Sequence, residues 1–78
     1  MTGREIVKDI MRVQGVTLGI LAKRTGQLSQ TIWTRLNGTR ASEIKLETLN
    51  EMCQAMGYKI CVVPSDVVVE GYEYTRGE

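Results

Sequence analysis

Ser29, Gln30, Trp33, Thr34 and Asn37 are spaced so that one helix would gather them on one side. They lie in GQLSQTIWTRLNG, residues 26–38, a span of roughly three helical turns between two glycines. Gln30, Trp33, Thr34 and Asn37 follow the i, i+3, i+4, i+7 pattern of an outward face. Leu28, Ile32 and Leu36 recur every fourth residue as a separate buried stripe. The outward face is poor in charge and rich in amide and hydroxyl groups, which both donate and accept hydrogen bonds. Its chemistry is recognition of a polar surface.

Bond-breaking chemistry has little to work with. There is no histidine, so the commonest general base and metal ligand is missing. No carboxylate pair flanks a cleft, no glycine motif cradles a phosphate, and neither cysteine has a recognisable base nearby. Cys53 and Cys61 stand eight apart without a CxxC pairing, which suits reduced small hydrophobes better than a zinc site or a disulfide. Met11, Met52 and Met56 read as core filler. An enzyme, a metal and a cofactor are therefore not expected.

The elements that would position the polar face can be read along the chain. With 78 residues it is one small domain with little room for a deep core. Thr2 and Glu5 form a capping-box signature for a helix to about Gln14, with Ile6, Val7, Ile10, Met11 and Val13 as its apolar face and Gly15 as its stop. Thr17 caps a short second helix, Leu18 to about Thr25, with Leu21 and Ala22 inward and Gly26 closing it. The third helix is the opening stretch. If Ser29 is its N-cap, Leu28 and Trp33 fall where a hydrophobic staple would join them. Asn37-Gly38 ends it, and Thr39–Ile44 is a polar connector. A fourth helix is expected from about Lys45 to Met56, burying Leu46, Leu49, Met52, Cys53 and Met56. Residues 58–63 and 67–70 are β-rich on either side of a Pro-Ser-Asp turn, and the tail GYEYTRGE reads as frayed. Because a lone strand cannot satisfy its backbone, 58–63 is expected to pair with 67–70, with a second subunit, or with both.

Charge divides the chain. Residues 1–45 carry eight Lys and Arg against three Asp and Glu, while residues 46–78 carry two against six, so net charges of +5 and −4 lie behind an overall +1. A basic first half suits a polyanion. No apolar run is long enough to span a membrane, and MTGREIVKD lacks the apolar core of a signal peptide, so a cytoplasmic protein is expected.

The segment TLGILAKRTGQLSQTIWTRLNG resembles the helix-turn-helix of the phage lambda repressor and Cro family, also called the Xre type. Leu21-Ala22, Gly26, Ile32 and Asn37-Gly38 match at the family's spacing, and KLETLNEMCQAMG resembles its closing helix. The resemblance covers about residues 5–57. It implies that the third helix enters the major groove and that Ser29, Gln30, Trp33 and Thr34 are the candidates for base contact. Glutamine can offer an adenine edge a donor and an acceptor together, and Ser and Thr serve either role. For Trp33 two roles stay open: pressing on a thymine methyl or sugar edge, or packing on Leu28. Phosphate contacts are implied for Thr17, ahead of the second helix, and for Asn37, with Lys23, Arg24, Arg35 and Arg40 supplying sequence-independent attraction. Three positions depart from the family: Leu18 where glutamine is common, Arg35 where an apolar residue is usual, and Trp33 where a small or polar one is. Lys8 and Arg12, one turn apart on the first helix, read as ordinary surface charges.

The expected architecture is mainly α: a lambda-repressor-like helix-turn-helix bundle of about four helices with a short C-terminal β-strand or hairpin. Residues 1–57 would form the DNA-binding domain and 58–78 a dimerisation element using Tyr58, Ile60, Val62, Val67 and Val69. The expected partners are double-stranded DNA and a second copy, and the expected activity is transcriptional regulation, most simply repression. The alternative is an antitoxin-like module whose C-terminal segment binds a toxin or another protein.

Overall fold

The computed structural model describes residues 1–38 and 44–75. Four helices follow one another: α1 (Gly3–Gln14), α2 (Leu18–Thr25), α3 (Ser29–Asn37) and α4 (Leu46–Ala55). α1 starts as its sequence dictates. The Thr2 hydroxyl accepts from the Glu5 N–H at 3.3 Å and the Glu5 carboxylate accepts from the Thr2 N–H at 2.9 Å, which satisfies two otherwise orphaned donors. α2 is capped by the Thr17 hydroxyl, which accepts from the Ile20 N–H at 3.2 Å. Gly15 and Gly26 end these helices at φ of 67° and 71°, the left-handed region where glycine meets no Cβ penalty.

α1 and α2 each pack against both α3 and α4. Ile6, Val7 and Ile10 from α1, Leu21 and Ala22 from α2, Ile32 and Leu36 from α3, and Leu49, Met52 and Cys53 from α4 form one core, joined by Val16 and Met56. Burial alone pushes the Cys53 thiol above its ordinary pKa. Side chains also tie helix ends across the bundle. Gln14 Nε2 donates to the Met56 carbonyl at 2.9 Å and an Arg24 Nη donates to that of Ala55 at 3.2 Å, so the C-terminal end of α4 is capped from α1 and α2. An Arg4 Nη does the same for Gly38 beyond α3, at 3.0 Å.

Several expectations are corrected. α3 begins at Ser29, with extended Leu28 as its N-cap and no side-chain capping bond. The Leu28–Trp33 staple therefore has the wrong register, and Leu28 stands exposed in the turn instead of extending the buried stripe. Val13 is exposed because it falls at the rim of the α1 core face, in the last turn. Leu46 is exposed because it opens α4, ahead of the turn that reaches the core at Leu49.

The C-terminal part differs most. Among the described residues no strand forms: the Val67 N–H donates to the Pro64 carbonyl at 3.1 Å, which closes a turn, but no ladder joins 58–63 to 67–70. The tail up to Thr75 is not frayed either. The Tyr72 hydroxyl donates to Asp9 of α1 at 2.6 Å and its ring lies 6.1 Å from that of Tyr58. Thr75 N–H donates to the Met1 carbonyl at 2.7 Å, and the Met1 amino group returns a bond to the Glu73 carbonyl at 3.1 Å. The segment between is held at both ends and extends over residues 60–69. Among the described residues, no helix is long and apolar enough to cross a membrane.

Candidate nucleic-acid interface

The 3.6-residue period of α3 buries Ile32 and Leu36 and leaves Ser29, Gln30, Trp33, Thr34 and Asn37 exposed on the opposite side. These side chains are not equally free. The Thr34 hydroxyl donates to the Gln30 carbonyl at 2.9 Å, and Asn37 Nδ2 donates to the Trp33 carbonyl at 3.2 Å. Thr34 thus keeps its acceptor lone pairs, and Asn37 keeps Oδ1 and one N–H. Among the described residues nothing is hydrogen-bonded to the Gln30 amide or the Ser29 hydroxyl, so Gln30 presents both a donor and an acceptor outward.

Trp33, half exposed, separates two hollows. One, of about 380 Å³, is lined by Leu18, Ser29, Gln30 and Trp33. The other, an open groove of about 500 Å³, runs between Trp33, Leu36 and Asn37 on one side and Lys8, Met11, Arg12 and the 15–18 turn on the other. Leu18, where the resemblance lacked a glutamine, forms a half-buried shared wall. Ser29, the first residue of α3, lines the smaller hollow, and Thr17, the N-cap of α2, lies in the wall of the larger one.

The structure brings together Thr17, Ser29, Gln30, Trp33 and Asn37 around these hollows, with Thr34 on the same helix face. The expected cations are dispersed. Arg24 reaches α4. Arg35 donates to Gln27 Oε1 in the turn, and Gln27 Nε2 donates to Glu51 at 3.1 Å, a strap from α3 through the turn to α4. Lys23 is exposed on α2, and Arg40 lies outside the described residues. Of the dimerisation candidates, Tyr58 is half-buried against Tyr72, whereas Ile60, Val62, Val67 and Val69 are exposed; Val62 is 97% exposed and Val68 98%.

Two features escaped sequence reasoning. Lys8 and Arg12 border the groove, although their i, i+4 spacing already placed them on one side of α1. Tyr72 belongs to a network that no local signal announces: Arg12 Nη2 bonds one Asp9 oxygen at 2.6 Å while Tyr72 bonds the other. The Tyr72 hydroxyl, then Arg12, hold the Asp9 carboxyl below its ordinary pKa. The bond to Asp9, with lesser help from desolvation, pushes the Tyr72 phenol up to about 12. Among the described residues no three of His, Cys, Asp and Glu gather as metal ligands.

No family model, curated protein or solved structure matches the chain.

Proposed function

We propose that this protein is a sequence-specific DNA-binding regulator of transcription, built as a helix-turn-helix in which α3 enters the major groove and Gln30 reads a base. The observation that carries the reading is the uncommitted Gln30 amide on an exposed polar face of α3. Three residues, 26–28, separate that helix from α2. The short turn and Gly26 fit the lambda-repressor-like resemblance, and α3 is long enough to place Gln30 and Thr34 in a groove while Ile32 and Leu36 anchor it. The protein acts as a homodimer on a two-fold-related site, as a repressor that occupies a promoter, in the cytoplasm. Residues 60–69 supply the contact between copies, where the exposed valines and open backbone gain a partner strand.

Selection of bound sites from random DNA duplexes, with wild type and Gln30→Ala, tests this. The expected result is an inverted repeat with half-sites about one helical turn apart, altered at one position by the substitution. No enrichment, or binding indifferent to sequence, overturns it. The same exposed valines favour the second reading, an antitoxin-like module that buries them against a toxin or other protein. That reading gains if the chain is a monomer in solution.

A further inference from the structure

Resting on the DNA-binding reading, we infer that Lys8 and Arg12 of α1 grip the sugar–phosphate backbone in the groove beside Trp33, making α1 the second wall of the interface. The expected cations leave this role open. Arg24 is spent on the Ala55 carbonyl and Arg35 on Gln27, both away from the exposed face of α3. A duplex with α3 in its major groove still has to pass the α1 side, where the groove opens.

The lining there is matched to a nucleic-acid backbone. Met11, Val16 and the Trp33 indole give an apolar floor suited to deoxyribose, and Lys8 and Arg12 stand at its rim. The two cations are four residues, roughly 6 Å, apart along α1, so they can address successive phosphates. Among the described residues Lys8 has no ion-pair partner. Arg12 is oriented by Asp9, whose other oxygen is occupied by Tyr72. The carboxylate at this rim is therefore engaged on both oxygens and partly offsets Arg12, while Lys8 feels Glu5 one turn away only as a weak attraction without a direct ion pair. Asn37 closes the far side with its free amide N–H.

The test is the salt dependence of binding to the selected duplex by the 78-residue chain. Each phosphate contact releases counterions and contributes about 0.9 to the slope of log K against log salt. Lys8→Ala is expected to lower the slope by about 1, and Lys8→Ala with Arg12→Ala by up to about 2, with base preference unchanged. Arg24→Ala and Arg35→Ala are expected to leave it unchanged. Lys8 is exposed, so its substitution leaves folding intact; Arg12→Lys, which keeps the charge, should retain more of the slope than Arg12→Ala. Wild-type binding with a slope unmoved by Lys8→Ala overturns this inference alone. Absence of wild-type binding overturns it together with the DNA-binding reading.

Discussion

Trp33→Ala separates packing from the proposed recognition, because half of the indole is buried and half is exposed. Fully burying a tryptophan removes some 150–250 Å² from water, and Trp33 is 50% exposed, so its buried half is on the order of 100 Å². At about 25 cal/mol per Å² this is worth roughly 2.5 kcal/mol, and a compact unfolded chain trims it to about 2 kcal/mol. For a domain of this size that loss lowers Tm by roughly 8–16 °C. Leu28 is 75% exposed, so Leu28→Ala should cost no more than about 0.5 kcal/mol. Thermal and denaturant unfolding of the two single variants and the double variant would measure both costs and their coupling. Because Leu28 is the N-cap of α3 and not the residue before it, the coupling is expected near zero. A coupling above about 0.5 kcal/mol, or a Leu28→Ala cost equal to that of Trp33→Ala, would restore the staple and refute the register of α3. Independently of stability, Trp33→Ala measured well below its Tm should weaken the proposed DNA binding, since the indole lines both hollows.

Gly38 follows α3 with φ of −63°, so its need for glycine is not a left-handed backbone. A Cβ there would stand 2.5 Å from the Thr34 carbonyl oxygen, so Gly38→Ala and Gly38→Asn should both cost about 1–3 kcal/mol; an Asn variant as stable as wild type would refute this close approach. Val62→Asp and Val68→Asp, at side chains almost wholly exposed within one chain, should leave the Tm of the monomer unchanged and abolish the proposed dimerisation in sedimentation; an unchanged dimer would move the contact elsewhere, and a wild-type monomer would refute the homodimer. Tyr72 should ionise near pH 12 in a titration of phenolate absorbance, a phase that Tyr72→Phe removes. Its folded pKa is raised, so its contribution to stability is complete below the unfolded value of about 10 and lost as pH climbs through about 12. Asp9 works in the opposite direction. Its folded pKa is depressed, so its contribution is present above about 3.8 and lost as pH falls below that value, a loss that Asp9→Asn should remove from the acid limb of unfolding.

Sequence alone determined the features that arise within a few residues. Thr2 and Glu5 meet because three residues span one turn; Gly15 and Gly26 stop helices because only glycine enters the left-handed region freely. Ile32 and Leu36 are inward and Gln30 outward because a helix repeats every 3.6 residues. The polar face of α3 was therefore legible, and so was most of the core. The start of α3 was not, since Ser29 can cap a helix or open one, and packing of Ile32 and Leu36 decides which. Tertiary structure alone decided where the long cationic side chains go. Nothing local tells Arg24 that the end of α4 lies within reach, or Arg35 that Gln27 and Glu51 form a strap, and each leaves the candidate interface on that account. It also brought Tyr72 to Asp9 across 63 positions of sequence, fastening a tail that composition marks as loose and turning Lys8 and Arg12 from ordinary surface charges into the rim of a groove. Helical periodicity encodes which way a residue faces; what it faces depends on chain segments brought near by folding.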